Sequence, residues 1–227
     1  MNDDPIRIYL VGANGKMGQA IKEALLFQSG FTFIGGSSRS DFPETDAHLI
    51  KQVDAILDFS SLDGTKKALI AATTHQIPLV IGTTGHSSEF EKSIAAAAQS
   101  IPLLFSPNFS VGMALCLKIL PELIKNIKAA HSCKIVETHH IHKKDAPSGS
   151  AIKLGKAIDP TGTVPIESIR EGDTIGDHRV FFNFEGEAIE LRHTAFSRAS
   201  FANGALMAAK FLVNKPAGIY TLMDLIE

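Results

Sequence analysis

Between Glu137 and Ala151 the chain reads ETHHIHKKDAPSGSA, which sets His139, His140, His142, Lys143, Lys144 and Asp145 directly before Pro147-Ser148-Gly149-Ser150. Histidine is the side chain that titrates nearest neutrality, and an ammonium beside it can stabilise and then quench a developing negative charge. Proline is tolerated in the first turn of a helix and serine is a favoured cap, so Pro147 and Ser148 predict a helix start. Ser148, Gly149 and Ser150 then offer hydroxyls and unobstructed backbone N–H groups, an arrangement suited to a carboxylate. Proton-exchanging groups beside an anion cradle suit a small carboxylate substrate that receives both a hydride and a proton. Three histidines also suit zinc, but no cysteine or regular HxxxH spacing accompanies them, and no metal is expected. Lys144 reads as a solvated charge, Lys143 as a functional one, and Asp145 as a helix cap or the partner of a lysine.

The first half of the chain predicts the scaffold that such chemistry needs. IRIYLVG is a short apolar run of the kind that forms a buried parallel strand. It leads into GANGKMGQAIKEALLFQ, whose apolar residues recur at helical spacing, so Gly12, Gly15 and Gly18 fall in a strand-to-helix turn. Glycine there lets a pyrophosphate approach the helix N-terminus, although GxxGxxG is not the commonest dinucleotide fingerprint. FTFIGG, VDAILDFS, IPLVIGTTG and IPLLFSPNF read as four further strands, with helices over Gly64–His75 and Ser87–Gln99. Alternating strands and helices predict a doubly wound parallel sheet, and every strand ends in small or polar residues where such sheets bind ligands. After the second strand the chain reads GGSSRS, with no acid before Asp41. Arg39 can pair with a ribose 2′-phosphate and Ser37 and Ser38 can hydrogen-bond it, so NADPH is expected in preference to NADH, which remains possible. The plainer reading makes Arg39 a solvated loop charge.

The second half changes character. Val111 to Ile127 is apolar and helix-like with an interruption at Pro121, CKIVETHH is strand-like, and SAIKLGKAI is a short amphipathic helix. The strand should end near Thr138 or His139. HRVFFNFEGEAIELRHTAF reads as two antiparallel strands around Glu185-Gly186, and both ANGALMAAKFLV and GIYTLMDLI read as helices that return to the first domain. The expected fold class is α/β: a Rossmann-like parallel-sheet domain over 1–110 and 203–227, plus an α+β domain with a mixed sheet over 111–202.

Composition sets the outer limits. The 227 residues suffice for a substantial core, and 22 basic against 24 acidic residues leave a net charge of −2, which argues against nucleic-acid or polybasic membrane partners. The start MNDDPIRIYLVG does not read as a secretory signal, and Cys116 and Cys133 read as small core residues, so a cytoplasmic protein is expected.

VGANGKMG, GTTG, SPNFSVG, ETHHIHKKDAPSGSA and FSRASFANGA together resemble, in order and spacing, the motifs of the 4-hydroxy-tetrahydrodipicolinate reductase (dihydrodipicolinate reductase) family of bacterial lysine and diaminopimelate synthesis. The histidine-lysine segment with DAPSG is the most specific part. The resemblance implies reduction of a cyclic imine-type dicarboxylate by NADPH or NADH with loss of water, and a homotetramer assembled through the mixed-sheet domain. It implies His139 as general acid/base residue and Lys143 as proton donor, with His140, Ser148, Gly149, Ser150 and Arg198 contacting substrate. It also implies a cofactor surface of Gly12, Ala13, Asn14, Gly15, Lys16 and Met17, of Gly82, Thr83 and Thr84, and of Ser106, Pro107, Asn108 and Phe109, beside Ser38 and Arg39. Serine at 150 replaces the family's usual threonine and keeps its hydroxyl, while Ser38 stands where some members carry an acid. The stretches between Arg39 and Val53 and from Ile158 to Ile169 are short. Another NAD(P)-dependent imine reductase would explain the glycine turn but not the histidine-lysine segment. A non-catalytic NADPH-sensing module would need neither His139 nor Lys143.

Overall fold

The computed structural model describes residues 4–38, 47–127 and 130–226. Contacts divide the chain into two compact units, Met1–Phe109 with Phe201–Glu227, and Ser110–Ser200. The first unit opens as β1 (Ile6–Val11), α1 (Lys16–Leu25), β2 (Phe31–Ser37), the short α2 (Ala47–Ile50), β3 (Ala55–Asp58), α3 (Leu62–His75), β4 (Leu79–Ile81), α4 (Ser88–Ala97) and β5 (Pro102–Phe105). Ile8 to Val11, Ala55 to Leu57 and Leu79 to Ile81 are completely buried. Such unbroken apolar runs are what a parallel strand covered on both faces requires. Arg39 lies outside the described residues.

The second unit begins with α5 (Val111–Asn126), which continues through Pro121 instead of breaking there. Proline removes one N–H from the ladder without ending it, because packing carries the helix: Met113, Cys116 and Leu120 are buried against β6 (Ser132–His139) and its neighbours. The chain continues through α6 (Gly149–Ile158), β7 (Ile166–Arg170), β8 (Gly176–Asn183) and β9 (Ala188–Ala195). These strands form a mixed sheet in the order β7-β6-β8-β9, with β6 and β7 parallel and the other pairs antiparallel. Strand β7 lies within what the sequence shows only as a short connection. Its sequence IESIR alternates too weakly to announce a strand, and parallel pairing with β6 supplies the order.

The chain then returns to the first unit through α7 (Ala199–Leu212) and β10 (Gly218–Tyr220). GIYTLMDLI is therefore not an α-helix: its first residues pair in parallel with Pro102 to Leu104, and Leu222–Leu225 form a 3₁₀ turn. Three residues are too few for periodicity to identify, and the open edge of β5 decides their conformation. The completed sheet, order β10-β5-β4-β3-β1-β2, is parallel throughout. Its order reverses between β1 and β3, which makes the carboxyl ends of those strands the expected ligand crevice.

Helix α7 approaches the end of the preceding segment so closely that a Cβ at Gly204 would lie 1.8 Å from the Phe109 carbonyl oxygen. The clash is with backbone, so no side-chain rotation relieves it. Gly204→Ala is expected to destabilise the protein by on the order of 1–3 kcal/mol, read as a lower urea midpoint, and an unchanged midpoint would contradict this packing.

Candidate active site

Alternation along β6 turns Ile135, Glu137 and His139 toward the same buried face. Glu137 is completely buried and His139 is 8% exposed. One Glu137 oxygen is hydrogen-bonded to His139 Nδ1. The other accepts from Arg170 Nη2 at 2.8 Å and from the Ser148 backbone N–H at 3.2 Å. Burial alone would raise the Glu137 carboxyl, but the hydrogen bond from Arg170, with the Ser168 hydroxyl nearby and the hydrogen bond from His139, holds it below the usual carboxylate range. Burial lowers the His139 imidazole. Glu137 opposes that shift, while the Lys143 ammonium and Arg170 reinforce it, so the ring is neutral at pH 7.

Strand register extends this pair into a polar row. Ser168 on β7 and His178 on β8 flank Glu137, and His193 on β9 lies opposite His178. Two helix starts close onto the row. Ser148 caps α6 by accepting from the Ala151 N–H, and its hydroxyl lies 3.2 Å from His178 Nε2. Ser110 caps α5 in the same way, 2.8 Å from His193 Nε2. Burial, with His139 and His193 beside it, pushes His178 down to about 4.

The remaining expected substrate residues surround this row unevenly. Lys143 is half-buried and pairs with Asp145 at 2.9 Å, so Asp145 partners a lysine and leaves the cap to Ser148. Pro147 stands before that cap, outside the first turn. Gly149 and Ser150 are the first residues of α6, and a Cβ at Gly149 would meet open space. His140 is half-buried with its Nδ1 lacking a partner among the described residues, whereas His142 and Lys144 are exposed. Arg198 follows β9, half-buried, and makes no hydrogen bond or ion pair among the described residues. Glu137, His139 and His178 bring donor atoms within 4.8 Å of one another. A divalent cation there would have to displace the Glu137–His139 hydrogen bond beside Arg170 and Lys143, so the cluster reads as proton-exchanging.

In the first unit the expected cofactor residues occupy carboxyl ends of the parallel strands. Gly12, Ala13, Asn14 and Gly15 form the β1–α1 turn, and Lys16 and Met17 open α1. Ser38 follows β2, Gly82 to Thr84 follow β4, and Ser106 to Phe109 follow β5. Gly12 has φ +87, and a Cβ there would lie 2.3 Å from the Phe59 carbonyl oxygen. A Cβ on Gly18 would lie 2.3 Å from the Gly12 carbonyl oxygen, so α1 packs directly on the turn. The α1 N-terminus has no side-chain cap, which leaves its first N–H groups for an anion. The Ser37 hydroxyl is buried without a partner among the described residues. These features fit a dinucleotide. Phe109 is the exception in the set: its ring is buried and meets Phe59 edge-on at 5.2 Å, so only its backbone is free for a ligand.

Glu137, Arg170 and His178 were not singled out as functional by sequence. The available signal was a carboxylate two residues before a histidine on a strand, which places both on one face. Arg170 and His178 reach the site only through strand pairing.

Residues 6–109 match the family described as dihydrodipicolinate reductase, N-terminus, and residues 112–226 match its C-terminus. A 4-hydroxy-tetrahydrodipicolinate reductase of Burkholderia ambifaria is 34% identical, with 97% of this chain and 99% of that protein covered. One from Janthinobacterium sp. (strain Marseille) is 34% identical over 97% of this chain and 98% of its own length. A solved structure, dipicolinate-bound dihydrodipicolinate reductase from Paenisporosarcina sp. TG-14, has the same fold. Its TM-score is 0.81 at 21% identity, over 96% of this chain and 97% of that one.

The buried row makes stability depend on pH. His178 has a folded-state pKa of about 4, below the value of about 6.5 of an unfolded histidine. The unfolded chain therefore binds more protons, and stability present above pH 6.5 is lost as pH falls toward 4. Between pH 7 and 5 this costs on the order of 2 kcal/mol, and burial of His139 and His193 acts in the same direction. Urea midpoints should fall across that interval and fall less in a His178→Gln variant; equal losses in the two proteins would refute the assignment.

Proposed function

The chain belongs to the dihydrodipicolinate reductase family, and on that premise we propose that Lys143 donates the proton and His139 is the general acid/base residue of its reaction. That reaction is the nicotinamide-dependent reduction of 4-hydroxy-tetrahydrodipicolinate to tetrahydrodipicolinate, with loss of water, in lysine and diaminopimelate synthesis. The observation that carries the residue assignment is the second unit's cluster. A buried, neutral His139 lies on Glu137, the Lys143 ammonium is near enough to lower its pKa, and Glu137 also holds Ser148, the cap of α6.

When bound, NAD(P)H supplies the hydride. The uncapped start of α1 and the backbone around Gly12 take its pyrophosphate, with the segments after β4 and β5 completing the surface. NADPH is the preferred form. The support is Arg39 with no acid before Asp41, and the Ser37 hydroxyl at the end of β2, which has no partner among the described residues. The N–H groups of Gly149 and Ser150 and the Ser150 hydroxyl bind one substrate carboxylate, with His140 and Arg198 serving the other. Ser148 is buried with its N–H on Glu137 and its hydroxyl between the Ala151 N–H and His178, so it positions that helix start and, against the expectation from sequence, does not touch substrate. Lys143 stabilises the electron density that builds on the conjugated imine and transfers its proton to the reduced ring. His139 exchanges protons with the site through Nε2, the nitrogen that Glu137 leaves free.

A homotetramer assembled through the second unit's sheet and a cytoplasmic setting complete the proposal. Exposed Ile169 on β7, which register places on the face of the sheet opposite Glu137, supports the first. The free thiols Cys116 and Cys133 support the second, Cys133 being pushed up to about 11 by burial. Light scattering should give the mass of four chains, and a monomer would refute the assembly.

The decisive assay follows NADPH oxidation with substrate generated in place from pyruvate and aspartate semialdehyde. Lys143→Ala should lower kcat by about 10²–10⁴-fold, and a kcat within the error of the parent would remove Lys143 from the mechanism. Arg39→Ala should weaken NADPH while leaving NADH largely unaffected; equal effects on the two cofactors would remove Arg39 from cofactor selection.

A further inference from the structure

We infer that Glu137, clamped by Arg170, is a positioning residue that fixes the proton of His139 on Nδ1 and so reserves Nε2 for exchange with substrate. The inference rests on the role given to His139 above. Glu137 touches neither substrate nor cofactor in this scheme and acts only through the imidazole.

Every partner of Glu137 is a donor. Arg170 Nη2 and the Ser148 N–H occupy one oxygen, which orients the carboxylate and aims the other oxygen at His139 Nδ1. A bare Nδ1 would set its lone pair against that oxygen at contact distance, so the imidazole must carry its proton there. Nε2 then bears the lone pair. It has no protein partner among the described residues, and a Cβ at Gly176 would come within 3.2 Å of it, so the glycine keeps that side of the ring open.

Arg170 has a second effect. A lone buried carboxylate would favour the imidazolium, which cannot accept a proton. Arg170 compensates the charge of Glu137, and its guanidinium also binds the Asp145 carbonyl at 2.6 Å, tying down the loop that carries Lys143. The charged and titratable groups facing His139 come from each neighbouring element. They are Glu137 on its own strand, Lys143 with its partner Asp145 from the loop, Arg170 from β7, and His178 from β8 with rings 5.1 Å apart. Asp177 and His193 act on it through His178. Burial together with the cations Lys143 and Arg170 outweighs Glu137 and keeps the ring neutral.

Glu137→Gln tests the assignment sharply. Arg170 and the Ser148 N–H both require an acceptor, so the new amide must turn its oxygen toward them and its NH₂ toward His139. That NH₂ donates to Nδ1 and moves the imidazole proton to Nε2, the wrong tautomer for accepting a proton from the site. Nitrogen-15 spectra of labelled histidine should show His139 of the parent protein protonated at Nδ1 and bare at Nε2 near pH 7, and the reverse in Glu137→Gln. Steady-state kinetics should show kcat reduced about 10²–10⁴-fold with little change in KM, and the His139 limb of the pH profile moved to lower pH because the carboxylate that raised it is gone.

A parent spectrum with Nδ1 bare overturns the inference, and this measurement stands even where the variant does not fold. A folded variant with unchanged tautomer, kcat and pH profile overturns it equally. Parent protein inactive toward the substrate would instead overturn the reductase mechanism, with the tautomer of His139 still read independently.

Discussion

One buried carboxylate organises the second unit. Glu137 has no solvent contact, and an ionised group there survives only where hydrogen bonds and a countercharge replace its hydration. Its donors come from three elements: His139 on β6, Arg170 at the end of β7, and the backbone of Ser148 at the start of α6. The carboxylate therefore ties His139, the loop before the helix and the start of α6 to one point. Removing one partner leaves the others buried and uncompensated, which is why such groups are strongly interdependent.

The same face of the sheet explains why so many histidines are uncharged. His139 and His178 are buried, and His193 is half-buried beneath the start of α5. Serine caps hold His178 and His193, and the positive ends of α5 and α6 oppose an imidazolium there. Neutral rings in a largely buried row can accept protons without first releasing them. Positive charge beside the row comes instead from Arg170 and from Lys143, whose partner Asp145 is exposed.

The first unit meets a different constraint, the convergence of several strand ends on one crevice. Close backbone approach does most of this. Gly12 lies against Phe59, Gly18 against Gly12, and Gly82 against the Phe59 ring, each too close to admit a Cβ. A second buried carboxylate, Asp58, joins the loops there. It accepts from the Ser60 hydroxyl and from Thr65 at 2.5 Å, while the Ser60 N–H donates to Thr83 Oγ1 at 2.9 Å. Burial raises the Asp58 carboxyl, and hydroxyl donors offset this only partly because none carries charge. Glu137, with a guanidinium beside it, moves the other way.

Local pattern was enough to determine strands β1 to β5 of the first unit, the glycine turn, the hairpin around Gly186, and the end of β6 at His139, because each depends on residues adjacent in the chain. The histidine-lysine segment and the serine that caps α6 were legible for the same reason. The strand character of Gly218–Tyr220 and of Ile166–Arg170 was not, since both are short and are ordered by a neighbouring strand's open edge. Nor could local pattern show the roles of Glu137, Arg170 and His178. Glu137 lies in plain sight two residues before His139, but a charged residue on a strand reads as exposed until the covering helices are in place. Arg170 and His178 are far along the chain, and only parallel and antiparallel pairing with β6 brings them to the same carboxylate. Sequence thus determined which titratable residue types stand together in the chain, whereas tertiary structure decided their burial and partners, because strand register alone brings Arg170 and His178 to Glu137 and His139.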